Sequence, residues 1–390
     1  MYTPLGPGTA SSSRRGPSVW RHFDVLLALA TVAVAAFGAL MIYTATRDSL
    51  EAQGLSPLYY VEKQAIFLLI GIGVMVAVAA IDYRRYRDWA PLLYGLSVVM
   101  LLAVYAVGHK SRGAQAWFQV GSYQMEPSDF AEVGMIVALA SFCAMCKGKL
   151  SGRALAVIVV LAAVPFILIY KQPDLGSALV LGAILVAVVV VGGVSARHLG
   201  LLTLAVIVAS VGVVHFGVLK SYQQARLTSF IDTPNRPNPK LLATVAGASE
   251  YNLAESKITI GNGGLTGQGI GKGTQTNLSY VPEQRTDFIF TAVGEQVGFV
   301  GSALLLGLFA IMVWRTWRAA TLARDQVGTL ICVGVLAMLV FEVFENIGMT
   351  LGIMPVAGIP LPFMSYGGSA EVAAFAAVGL VLNVRMRRHA

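Results

Sequence analysis

The stretch SYVPEQRTDFIFTAVGEQVGFVGSALLLGLFAIMVWR, residues 279–315, packs three ionisable side chains, Glu283, Arg285 and Asp287, into five positions and then turns apolar. A membrane-spanning helix needs about 20 apolar residues, and the run 287–314 exceeds that. Glu295 interrupts it eight residues beyond Asp287, which on a straight helix places it about 12 Å deeper. Charge gathered at the mouth of such a run points to chemistry at a membrane surface. Asp287 suits two roles, an acid at a helix start favoured by the macrodipole or a reactive carboxylate, and spacing does not separate them.

The rest of the chain agrees with a membrane protein. Of its 390 residues 56% are hydrophobic and only 12% are charged, whereas soluble domains carry about 25% charged residues. Apolar runs recur at 24–46, 61–81, 89–108, 128–147, 153–170, 175–193, 198–218, 287–314, 327–350 and 367–385. This predicts an all-α polytopic membrane protein of ten spans, with a large extracytoplasmic loop, 219–286, between the seventh and eighth. The net charge of +8 does not indicate nucleic acid, because the bases sit at the ends of apolar runs, where they set topology and meet anionic lipid. Arg14, Arg15 and Arg21, then Arg84, Arg85 and Arg87, Lys147, Lys149 and Arg153, Arg315, Arg318 and Arg324, and the terminal VRMRRHA fall on one side, so both termini are expected in the cytoplasm. Residues 1–22, rich in Pro, Gly and Ser, read as a disordered basic tail, and 23–390 as a single transmembrane domain. Cys143 and Cys146 have CxxC spacing, but no second pair completes a metal site.

Two segments on the opposite side carry bases that topology does not explain: 108–129, with Lys110, Arg112 and Trp117, and the long loop, with Arg226, Lys257 and Lys272. The loop also contains GNGGLTGQGIGKGT, 261–274, which reads either as a flexible linker or as backbone N–H groups able to join the bases around a pyrophosphate. The acids Asp129, Glu132, Asp174, Glu342, Glu345 and Glu371 fall mostly in the outer half of their spans, which suits an outward-facing site better than a path across the membrane. Asp174 also reads as a helix cap. GIMPVAGIPLPFMSYGGSA, 352–370, holds three prolines and cannot continue a helix, so it is expected to wall an outer cavity, with Ser365 and Ser369 facing substrate.

QPDLGSA at 172–178, PEQRTDFIFTAVGEQVGFVG at 282–301 and NIGMTLGIMPVAGIPLPFMSYGGS at 346–369 together resemble the signature segments of the SEDS family of cell-wall polymerases. GKGTQTNLSY before the second segment is closer to the RodA branch than to the FtsW branch. The resemblance implies a peptidoglycan glycosyltransferase that polymerises lipid II at the outer face of the bacterial cytoplasmic membrane, by inverting transfer with release of undecaprenyl pyrophosphate, during cell elongation. It places the essential aspartate at Asp287 and substrate contacts at Trp117 and Arg112; Lys110, Arg226, Lys257, Glu283, Glu345, Ser365 and Ser369 complete the candidate substrate-binding set. It implies lipid II, the undecaprenyl-linked nascent glycan, membrane lipids and a class B penicillin-binding transpeptidase as partners. No cofactor is called for, with a divalent cation, Mg or Mn, the one candidate. The sequence departs from the family pattern at Ala116, Glu126, Glu132 and Glu342, where Arg, Gln, Lys and Gln are usual. The alternatives are a lipid II flippase, which needs polar residues continuing into the inner half that spans five to seven lack, and a division polymerase of the FtsW branch.

Overall fold

The computed structural model describes residues 19–111, 114–121, 123–146, 150–215 and 245–388. Most of the expected tail, Arg112, Arg226 and the loop from 216 to 244 lie outside these residues. The first full helix, α1 (Val25–Ala52), is capped by Asp24, whose carboxylate accepts from the Leu27 amide. It is followed by α2 (Tyr59–Ala80) and by α3 (Tyr83–Val107), capped by Asp82. The connector to the next span, expected as plain loop, folds into a small antiparallel sheet of β1 (His109–Ser111), β2 (Ala114–Val120) and β3 (Tyr123–Met125). Its register sets Trp117 opposite His109 and Phe118 opposite Met125. Then come α4 (Pro127–Met145), α5 (Gly152–Lys171), α6 (Leu175–Val191) and α7 (Ala196–His215). Asp174 caps α6 by accepting from the Ser177 amide, as its place in QPDLG implies. After the loop come α8 (Val245–Gly263), α9 (Ile289–Thr321), α10 (Gln326–Leu351) and α11 (Gly368–Met386).

Eight of these helices, α1 to α5 and α9 to α11, are long and apolar enough to cross a membrane. Of the two further spans expected, α6 is apolar but only 17 residues long, and α7 has 20. In α11, 78% of the most apolar window is buried, against 22% in α3, so α11 runs through the middle of the bundle and α3 along its rim. Close backbone approach holds the centre together. A Cβ at Gly38 of α1 would lie 2.7 Å from the Met364 Cα, so only glycine lets α1 meet the loop before α11.

The helix that follows Asp287 differs from its simple reading. At 33 residues α9 would run about 50 Å if straight, well beyond the ~30 Å of a hydrocarbon core. It is broken at Gly298 (φ 63°, ψ −163°), where a side chain would collide with the backbone of Gly267. The part before the break, 289–297, is almost wholly buried; the part after it carries exposed Phe299, Leu304, Trp314 and Trp317 and is the spanning segment. Gln296 donates to Thr44 near the end of α1, whereas Arg315 meets Asp24 at its start. Glu295 therefore lies in the buried half-helix before the break, not in the spanning segment after it.

The opposite end is locked by ions. Asp24 is buried between Arg315 at 2.7 Å and Arg385 at 2.9 Å, which ties the start of α1 to the ends of α9 and α11. Arg387 donates to the carbonyls of Ala79 and Ala80, and Asn383 to those of Val78 and Ile81. Both ends of the described chain thus meet on one face of the bundle, away from Asp287. Removing one member of a buried pair leaves the remaining charge uncompensated, at a cost on the order of 3–5 kcal/mol. Asp24→Ala should therefore lower thermal stability in detergent markedly, and more than Arg87→Ala, whose pair with Asp88 is exposed. Equal shifts in the two melting curves would contradict this.

Candidate active site

The segment 279–288 is a series of turns that begins at Ser279 (φ 53°) and ends at Phe288, the N-cap of α9. Asp287 thus stands one residue before the cap rather than in the first turn. Phe288 is buried with Leu253, Val281, Met349 and Val356 in a small apolar cluster that seats the segment on α8 and α10. Above it, three consecutive carbonyls are each taken by a donor from α10 or from the loop leading to α11. The Tyr366 amide donates to Arg285 O at 2.9 Å. The Ser365 hydroxyl donates to Thr286 O at 2.6 Å. The Asn346 amide donates to Asp287 O at 2.8 Å and to Ile359 O at 2.7 Å. Glu283 closes the turn from within, its carbonyl accepting from the Thr286 and Phe288 amides. With the backbone fixed on three successive residues, the half-buried Asp287 side chain is presented from a rigid turn.

A second network lies underneath. Gln284 donates to the hydroxyls of Thr276 and Thr291. Glu295, fully buried, accepts from the amides of Gln275 and Thr276 at 2.8 and 2.9 Å and from the Thr276 hydroxyl at 2.6 Å. Its carboxylate closes the start of the short helical turn Thr274–Asn277, and at Gly273 there is no room for a Cβ beside it. Gln296 accepts from the Gly271 amide, and the amides of Gln268 and Gly269 donate to the carbonyls of Glu295 and Gln296. The glycine-rich stretch is thus neither a flexible linker nor a phosphate cradle at these donors. The donors that could have met an anion are used to fold the loop against the break in α9.

On the other flank, the Trp117 indole donates to Glu126 at 3.0 Å, Ser128 donates to its other oxygen, and the Glu126 amide donates to Ser369. This joins the small sheet to the starts of α4 and α11. Burial, and then the nearby carboxylates of Asp129 and Asp174, push the Glu126 carboxyl well above its usual range; the bonds from Ser128 and Trp117 oppose this. Between α4, α10 and α11 lies a cavity of about 30 Å³ lined by Asp129, Glu132, Glu342 and Glu371, with Ser365 at its edge. Four of the six acids read as an outward cluster line this cavity; Asp174 and Glu345 do not. Glu132 and Glu342 both line this cavity, from α4 and α10. Glu345 is sealed from solvent within α10.

Ser365 and Ser369 have their hydroxyls engaged with the backbone of Thr286 and Glu126. Lys257 lies over Gly352, where a Cβ would collide with its side chain. Of Lys110 only the backbone, in β1, is described, and Arg112 and Arg226 fall outside the described residues. Among the described residues, no group of three His, Cys, Asp or Glu side chains is arranged to hold a metal ion. The positioning residues that sequence reasoning left out of the site are Asn346, Gln284 and Glu126. The sequence signal for Asn346 is its place on one i, i+3, i+4 helical face with Glu342 and Glu345.

A family model covering FtsW, RodA and SpoVE and described as cell cycle protein matches residues 24–390. The chain belongs to this family. It is 33% identical over 369 residues to the peptidoglycan glycosyltransferase MrdB of Escherichia coli K12, covering 94% of each protein. It superposes with a chain of a peptidoglycan synthase complex described as coordinating polymerization and crosslinking, at a TM-score of 0.77 and 31% identity, over 94% of this chain and 98% of that one. Against the rod shape determining protein RodA of Thermus thermophilus the TM-score is 0.69 at 28% identity, over 95% and 99%. Two departures from the SEDS pattern, Glu132 and Glu342, line the cavity, and a third, Glu126, accepts from Trp117.

Two outcomes follow from these contacts. Asn346→Ala leaves two carbonyls without their donor, at about 1–3 kcal/mol each when buried, so thermal unfolding should shift down by more than for Ser302→Ala, a small buried change on α9. Glu126 favours its protonated form in the fold. Its contribution to stability is therefore complete below the unfolded value of about 4.3 and is lost as pH rises towards the folded value. The stability difference between Glu126→Gln and the native chain should therefore grow as pH rises above the unfolded value of about 4.3. Parallel pH curves would contradict the assignment.

Proposed function

We propose that this chain is a peptidoglycan glycosyltransferase of the RodA branch, polymerising lipid II at the outer face of the bacterial cytoplasmic membrane during elongation. The observation that carries the reading is the clamped turn at 285–287, which presents Asp287 at the end of the bundle opposite the termini. The orientation is supported by the bases at the termini face, where Arg84, Arg85, Arg315, Arg318, Arg385 and Arg388 gather, as expected for a cytoplasmic side with both termini inside.

In this mechanism Asp287 is the general base. It takes the proton of the acceptor sugar hydroxyl as that oxygen attacks the anomeric carbon of the lipid-linked donor. The bond from that carbon to the pyrophosphate oxygen breaks, its electrons leave with undecaprenyl pyrophosphate, and the configuration inverts. The rigid turn keeps the carboxylate at a fixed place relative to the membrane surface, where a lipid-linked head group must lie. A divalent cation fits this proposal as a companion of the pyrophosphate rather than as a resident group, because the described residues offer no three-ligand site. A class B penicillin-binding transpeptidase as partner is supported by the likeness to a chain of a synthase complex.

The test is polymerisation of labelled lipid II by purified protein with its transpeptidase, comparing the native chain with Asp287→Asn. General-base help is worth about 10²–10⁴-fold, so the variant should lose at least about 100-fold in strand formation while remaining folded. Equal glycan ladders from both would overturn the base assignment. No ladder from the native chain with an active transpeptidase would favour the flippase.

A further inference from the structure

Beside Asp287 the structure holds a feature that the proposed mechanism does not use. The Arg285 guanidinium lies over the ring of Tyr60, 4.5 Å from its centroid. Tyr60 meets Tyr59 and Tyr366 edge to face, each at 5.1 Å. Lys63, one turn along α2, sets its ammonium 4.1 Å from the Tyr59 ring centroid and 2.7 Å from the Tyr59 hydroxyl, and 5.5 Å from the ring of Tyr123 on β3. Two cations are thus carried on one continuous aromatic shelf built from α2, the small sheet and the turn before α9. The shelf is joined to the turn that carries Asp287, because Tyr366 packs on Tyr60 and its amide donates to the Arg285 carbonyl.

The shelf is open to its surroundings: Tyr59 is 38% and Tyr123 40% exposed. Aromatic residues at a membrane surface commonly serve as interfacial anchors, but anchoring needs no cation over each ring. Stacking engages the face of a guanidinium and leaves its N–H donors in the ring plane, the geometry that meets phosphate oxygens in pairs. An ammonium adds a point charge, and tyrosine faces pack against the C–H surface of a sugar. We infer that this shelf is a subsite for the diphosphate of a polyprenyl-diphosphate-linked sugar, with Arg285 and Lys63 as its cations and Tyr59, Tyr60 and Tyr123 as its floor. The ligand's identity rests on the glycosyltransferase reading; the arrangement of cations and rings does not.

The test measures binding without turnover. Full-length protein carrying Asp287→Asn, in nanodiscs of neutral lipid, is titrated with fluorescent undecaprenyl diphosphate, with undecaprenol as the uncharged control. The diphosphate should bind at least tenfold more tightly than the alcohol, and added salt should weaken it. Adding Lys63→Gln and Arg285→Ala together should remove that preference. Arg285→Lys alone, which keeps the charge but loses the stacked fork, should cost part of it. Melting curves confirm that each variant is folded. Retained preference in the folded double variant, or equal binding of diphosphate and alcohol, overturns the subsite. If the native chain makes no glycan yet the preference is lost in the double variant, the subsite stands and the polymerase reading fails.

Discussion

The architecture turns on three hydrogen bonds to three consecutive carbonyls, those of Arg285, Thr286 and Asp287. Backbone that is not helical survives near a membrane only where protein satisfies its polar groups. Here the donors come from α10 and from the proline-rich loop before α11, elements some 60 to 80 residues away in sequence. The turn can therefore be irregular, as a reactive carboxylate outside a helix requires, without being mobile. The proline-rich loop is held in return: Ser365 accepts from the Leu361 amide while donating to Thr286, and Asn346 ties Ile359 to the same turn.

The break at Gly298 makes this possible. An unbroken α9 would carry the residues after Asp287 straight into the bilayer. Instead, a buried half-helix stays at the site end and receives the glycine-rich loop, which Glu295 and Gln296 hold by its amides. At the opposite face, the Asp24–Arg315–Arg385 cluster fixes where the same helix ends. The helix is thus pinned before its break and again near its far end.

The spans were legible because lipid demands long apolar runs, and ten such runs are visible in the chain. The capping role of Asp174 was legible because it depends on residues a few positions away. The bend in α9 was not, since one glycine in an apolar run reads the same whether the helix is straight or broken. Nor was the role of Glu295, whose partners lie 19 to 21 residues back in a loop without helical periodicity. The small sheet around Trp117 was read as loop because its strands are three to seven residues long. Asp287 stood out by its place and by family resemblance, but the donors that hold it, Asn346 above all, are set by tertiary contact alone.

The claim that the clamp acts through Asp287 is tested most directly by a double-mutant cycle on polymerisation rate with Ser365→Ala and Asp287→Asn. If the serine serves only to hold the carboxylate in place, its loss slows the native chain and has little further effect once Asp287 is an amide. Losses that multiply in full would show that Ser365 contributes independently, and would contradict the account.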